Sequence, residues 1–255
     1  MGLVGVQEVA ALFHYNPHMT RRVAVLFAFV TIVAVAQQTS PASVDVGEEP
    51  KHHLVFKNEY VRAFEVTVPV GTETLIHRHT KPYIYVSIGD ADVRNEVVGK
   101  DPATIHPKDG EVRFVQGGFA HKAVNVGKTD FRNVTVELLK ADSADSKPAD
   151  VARQQLTECS GSNCSENVWF PGGHATTVST VAGIGMGFRP GEHNVLVIAL
   201  QDVILTRSST STDGTEIKRG NVMWLADAGG MWVHWHPEKN AHQALPFVTY
   251  LEFSH

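Results

Sequence analysis

Short apolar runs that stop every few residues at Gly, Pro or Asp fill this chain twice over, and that doubled pattern limits its fold more than any other feature. YVRAFEVTVPVG, YIYVSIGDADVRNEVVG, EVRFV and FRNVTVELL come first; NVLVIALQDVILT, NVMWL and PFVTYLEF follow. Runs rich in β-branched residues and bounded by turn formers read as strands. Apart from a short candidate near Asp150 to Leu156, no amphipathic helix competes with them. The halves also match piece by piece. VPVG at 68–71 pairs with FRPG at 188–191, GEVRFVQGG at 110–118 with GNVMWLADAGG at 220–230, and FRNVTVEL at 131–138 with LPFVTYLEF at 245–253. The offsets of 120, 110 and 115 residues fit one unit repeated with loop changes. Two antiparallel sandwiches or barrels are the expected architecture.

Polar stretches set the boundaries. Residues 37–50 (QQTSPASVDVGEEP) and 141–167 have linker composition, which leaves one barrel over 51–140 and a second over 168–255. Upstream, Met19-Thr20-Arg21-Arg22 is a basic start, Val23 to Val33 is nearly all apolar, and Ala34-Val35-Ala36 fits a small-residue cleavage site. Residues 19–36 therefore read as a signal peptide with translation starting at Met19, and 1–18 as an upstream extension. The apolar run falls short of the roughly 20 residues of a bilayer span, so a stable membrane anchor is not expected. A secreted or periplasmic location follows, and it suits Cys159 and Cys164, whose Gly/Ser-rich loop would close into a local disulfide in an oxidising compartment. With 43% hydrophobic residues, a net charge of −5 and no long Lys/Arg run, the chain is globular and offers nucleic acid no footprint.

HRHTKPY, residues 77–83, carries the chemistry. Successive side chains of a strand alternate faces, so His77 and His79 project to one side as a bidentate clamp would. A His-x-His pair alone is weak evidence for a metal. GEVRFVQGGFAHKAVN strengthens it, because Gly71, His77 and His79, followed by Gly110, Gly118, His121 and Asn125, keep the spacing of two consensus motifs, with Gly89 one residue short of the closing glycine of the first.

Those motifs resemble Gly-x5-His-x-His-x(3,4)-Glu-x6-Gly and Gly-x5-Pro-x-Gly-x2-His-x3-Asn of the cupin superfamily, over most of residues 50–140. HHLVFKNEYVRAFEV, which opens this region, is similar to a group of small cupins. The resemblance implies an all-β chain of two cupin-type jelly-roll barrels in tandem after the signal segment, with His77, His79 and His121 holding a divalent transition metal inside the first. Two positions depart from the pattern. No carboxylate stands at 80–84, where cupins place a glutamate, and Gln116 replaces the motif proline.

Three neutral imidazoles leave the charge of a divalent ion uncompensated and three positions of an octahedral ion open, which favours a small anionic chelating ligand. Imidazole suits Fe, Zn, Cu or Ni and does not choose among them, and Mn is not excluded. Three-histidine cupin sites resemble those of iron dioxygenases acting on thiols, β-diketones or gentisate, so Fe is the expected ion if the chain is an oxygenase. The alternative is a non-catalytic exported protein that binds a small molecule or the metal. Tyr85 shares the face of His77 and His79. Arg62, Arg113, Gln116 and Glu137 are further candidates for the cavity wall, an inward arginine being able to clamp a carboxylate bidentately.

The second half lacks this set. Counted from Gly191, the places of the first pair fall on Val197 and Ala199, so the second barrel reads as degenerate, with Trp224, Trp232 and Trp235 filling core or interface. His193, His234 and His236 form the candidate for a separate site. Two barrels in one chain reproduce a single-barrel dimer or pair again as a homodimer.

Overall fold

A computed structural model describes residues 42–140, 156–160, 163–180, 186–188, 194–211, 213–226, 231–235 and 245–253. The expected upstream extension (1–18) and signal peptide (19–36) lie outside them, as do residues 141–155, His193 and His236. Among the described residues there is no α-helix, and none is long and apolar enough to cross a membrane.

The first barrel is built from β1 (Val44–Asp45), β2 (His52–Lys57), β3 (Val61–Val68), β4 (His77–His79), β5 (Tyr83–Ser87), β6 (Val93–Val97), β7 (Ala103–Ile105), β8 (Val112–Val115), β9 (Phe119–Asn125) and β10 (Phe131–Leu138). They form two five-stranded sheets, β1-β4-β9-β6-β7 and β2-β3-β10-β5-β8. The second barrel follows with β11 (Leu156–Ser160), β12 (Asn163–Phe170), β13 (Gly173–Thr180), β14 (Met186–Phe188), β15 (Asn194–Ala199), β16 (Val203–Thr206), β17 (Thr215–Ile217), β18 (Val222–Leu225), β19 (Met231–Trp235) and β20 (Leu245–Phe253). Its sheets are β11-β12-β13-β20-β15-β18 and β14-β19-β16-β17. The tandem jelly-roll architecture expected from the doubled strand pattern is present.

Two segments with linker composition belong to the barrels. Val44 pairs in parallel with His77, Val46 is fully buried, and Glu49 is 2% exposed, so the first barrel starts before residue 51. Residues 156–160 and 163–170 pair as β11 and β12 at the edge of the second barrel's larger sheet. Polar composition marks both as loops, yet strand pairing satisfies their backbone groups. Within this pair Cys159 is the cross-strand partner of Cys164, which is disulfide-bonded.

The barrels share a core because the sheets that face each other are apolar on both sides. On β10, Val134, Val136 and Leu138 turn outward, while Asn133, Thr135 and Glu137 turn into the first barrel. Ile84 and Val86 on β5 alternate in the same way against Tyr83 and Tyr85. Phe170, Leu196, Ile198, Leu251 and Phe253 meet the outward set from the second barrel, and Trp224 stacks on Phe56 and Tyr60 with ring centroids 5.6 and 5.7 Å away. Gly110 lies at this junction with φ of 75°, and a Cβ there would stand 2.6 Å from Pro246 Cβ. Gly110→Ala is therefore expected to cost about 2–4 kcal/mol through left-handed strain and overpacking together. Gly71→Ala, with the same sign of φ but nothing within 4 Å of the added Cβ, should cost only the strain of about 1–2 kcal/mol. Urea midpoints of the two variants compare them directly, and equal losses would remove the packing argument.

Pairing also relocates the repeat. β4 pairs with β9 as β14 pairs with β19, so Met186 and Phe188 occupy the register of His77 and His79, and Val233 that of His121. Val197 and Ala199 lie instead on β15, the counterpart of β5, and are fully buried in the apolar interior of the second barrel. Matching FRPG to VPVG slips by one strand, because a strand-end Pro-Gly turn recurs too often to carry register. The match of β8 to β18 and of β10 to β20 holds. His234 hydrogen-bonds Thr206 Oγ1 at 2.9 Å among apolar neighbours.

Candidate metal centre

Register builds the site. His77 stands directly opposite His121 in the β4–β9 pair, and directly opposed side chains on one face lie close together. Their ring centroids are 4.5 Å apart, and those of His79 and His121 are 5.5 Å apart. The three predicted ligands thus meet inside the first barrel, in a cavity of about 190 Å3.

Each ring is oriented from behind. His77 Nδ1 lies 2.9 Å from the Leu75 carbonyl and His121 Nδ1 lies 2.7 Å from Asn95 Oδ1. Carbonyl oxygens only accept, so the proton sits on Nδ1 and the Nε2 lone pair of each ring is left for the cavity. Both Nε2 atoms are buried without a hydrogen-bond partner among the described residues. Orphaned, convergent lone pairs whose rings are held by outer partners are what a metal ligand needs, so the donor set fits a divalent transition ion. His79 is packed flat against Tyr83, with centroids 4.1 Å apart, and its Nδ1 stands 3.5 Å from Glu137 Oε1. Burial pushes His77 down to about 4 and His121 down to about 2, and lowers His79 as well, with Glu137 opposing the shift. All three imidazoles are therefore neutral, as ligation requires.

Two groups that the sequence reading did not assign join them. His52 on β2 comes from the opposite sheet, and one ring nitrogen from each of His52, His77 and His79 lies within 4.8 Å of the others. Its Nδ1 donates to Glu49 Oε2 at 2.7 Å. Burial alone would raise the Glu49 carboxyl, but the hydrogen bonds from His52 and the Leu75 amide hold it below the usual carboxylate range. A periodic signal exists for His52 only if the β2–β3 register is known, since it faces Val66 across that pair.

The wall candidates divide. Tyr85 and Arg113 line the cavity with Asn133 and Thr135. The Tyr85 hydroxyl is buried without a partner among the described residues and is raised to about 12 by burial, so it stays a donor. Arg113 reaches the cavity beside its salt-bridge partner Glu111. Arg62 is absent from the cavity lining: its guanidinium is taken up by Glu137, its partner across the β3–β10 register, whose Oε2 lies 2.8 Å from Nε and 2.6 Å from Nη2, and it also reaches Asp45. Gln116 likewise lies outside the lining.

No family model matches the sequence, and neither does any curated protein. Solved structures do match the fold. AerE from Microcystis aeruginosa aligns over 81% of this chain and 99% of its own at 11% identity, with a TM-score of 0.53. An oxalate decarboxylase aligns over 77% and 69% at 11% identity and TM-score 0.50. Procruciferin, an 11S globulin from Brassica napus, covers 76% of each chain at 8% identity and TM-score 0.54. Two jelly-roll barrels of this topology give the chain a two-barrel cupin fold. Its first barrel carries the histidine cluster, and its second has apolar residues at the corresponding places.

Proposed function

We propose that the chain is an exported, metal-dependent cupin dioxygenase that acts on a small anionic chelating substrate. The observation that carries this reading is the pair of buried, partnerless Nε2 atoms of His77 and His121 facing a cavity that also holds His79, Tyr85 and Arg113. His77, His79 and His121 would hold the ion, which supplies Lewis-acid and redox chemistry when bound. Within the cavity, Arg113 is placed to attract the anionic end of a substrate and the Tyr85 hydroxyl to donate to it. Val66, Val93, Val115 and Phe119 line the remaining wall and would keep water from the reacting atoms. Imidazoles carry no charge, so the cationic centre favours an anion over a neutral ligand.

The test uses the chain from Met19 without a histidine tag. One divalent ion per chain is expected, and less than a tenth of that in His77→Ala, His79→Ala and His121→Ala; equal metal content would sink the site. Iron-loaded protein should consume oxygen with a member of a panel of β-diketones, thiols and hydroxybenzoates. Tight binding without oxygen uptake would replace the enzyme with a binding protein.

A further inference from the structure

We infer that His52 is a fourth protein ligand of the ion in the first barrel, oriented by Glu49, and that it fills from the opposite sheet the place left by the missing glutamate. This rests on the metal reading above and concerns which atoms complete the inner shell.

Position comes first. His52 is 8% exposed and lines the cavity, with its ring centroid 4.6 Å from that of His77 and 6.0 Å from that of His79. Imidazole nitrogens sit about 2.0–2.1 Å from such an ion, so ligands on opposite sides are about 4.2 Å apart. The ring nitrogens of His52, His77 and His79 already lie within 4.8 Å of one another, so movements of about 1–2 Å bring them onto one ion. The neighbouring His53 is exposed on the other face of β2 and has no part in the cluster.

Orientation comes second. Glu49 is buried and accepts the His52 Nδ1 proton, which leaves the Nε2 lone pair as the ring's only donor to a metal. Glu49 is itself fixed at both oxygens, by the Lys51 amide at 2.7 Å and the Leu75 amide at 3.1 Å. The Leu75 carbonyl takes the His77 Nδ1 proton. One residue, Leu75, therefore ties the supports of His52 and His77 together, and this carboxylate–histidine arrangement is the usual outer support of a ligating imidazole. Glu49 also places negative charge one residue behind the ion, where cupins with an inner glutamate place it in direct contact.

Four imidazoles on an octahedral ion leave two positions. They suit one bidentate anion, or one monodentate anion beside a second small ligand, and they disfavour Mg or Ca, which take oxygen donors.

Cobalt(II) is the probe, because its visible spectrum reports coordination. In wild type, one Co2+ per chain is expected. His52→Ala should bind it at least tenfold more weakly, with a changed visible band that added imidazole restores. His52→Gln, closer in size, should behave alike without the cavity, and serves if the alanine variant does not fold. Glu49→Gln should weaken binding about tenfold, since an amide cannot accept at both of its ends. His53→Ala should match wild type. Unchanged affinity and spectrum in the His52 variants would overturn the fourth ligand while leaving the metal centre standing. Weaker binding with an unchanged spectrum and no imidazole rescue would overturn it too, as a structural effect. Absence of Co2+ from wild type would overturn the metal reading itself.

Discussion

Arg62→Leu is expected to destabilise the first barrel by about 3–5 kcal/mol, while Glu137→Leu costs only about 1–2 kcal/mol. Glu137 is fully buried, and its Oε2 is held by two nitrogens of Arg62. Removing the arginine leaves a carboxylate inside the barrel with no cation among the described residues beside it, so the group must take up a proton or remain as an uncompensated charge. Removing the carboxylate instead leaves Arg62, whose side chain is 23% exposed and retains Asp45 at 3.2 Å. The asymmetry is the test. Urea unfolding of the two single variants and the double Arg62→Leu/Glu137→Leu should show the double variant regaining most of the arginine loss, a coupling of about 2–4 kcal/mol. Equal losses in the singles, or simple additivity, would mean that the pair does not hold this end of the barrel. Glu137→Leu has a second effect that Arg62→Leu reaches only indirectly: His79 loses the carboxylate 3.5 Å from its Nδ1, so metal affinity should fall about tenfold.

The pair also marks what a sequence can and cannot disclose about this site. Alternation within β4 places His77 and His79 on a common face and spacing brings in His121, so residues that recur within or just after a motif are legible, whereas Tyr85 stands on β5 of the other sheet and meets them across the cavity. Cross-strand register is not. Arg62 reads as a substrate clamp until the β3–β10 register sets it opposite Glu137. His52 and His53 are adjacent and point to opposite faces, so their sequence does not say which one enters the barrel. Glu49 is hidden for a different reason: GEEP is polar enough to pass for a linker, although a short 3-10 turn over Val46–Glu48 leads directly into a buried carboxylate. The same limit explains the second barrel. Its lack of ligands is visible, but the residues in their places are Met186, Phe188 and Val233, which only strand pairing identifies.

Metal-free protein is expected to lose about 5–6 kcal/mol of stability between pH 7 and pH 4, enough to unfold a domain of ordinary stability. His77 is pushed down to about 4 and His121 to about 2, chiefly by burial, against about 6.5 in the unfolded chain. Between these values the unfolded chain binds protons that the folded one refuses. The stabilising contribution is therefore fully present above pH 6.5 and is lost as the pH falls toward the folded values, at about 1.4 kcal/mol per pH unit for each histidine. Near pH 4 each has removed about 3 kcal/mol. His79, lowered in the same direction, adds to the loss. Urea unfolding of metal-free protein at several pH values measures the slope, and His121→Leu should flatten it by about 1.4 kcal/mol per unit, because that variant has no proton to exchange at this position. A slope unchanged by His121→Leu would mean that the ring is accessible to protons in the folded barrel. A divalent ion occupies the same lone pairs, so metal-loaded protein should hold its stability to lower pH until protons displace the ion. The separation of the metal-free and metal-loaded curves should narrow in His52→Ala, which connects acid stability to the number of imidazoles on the ion.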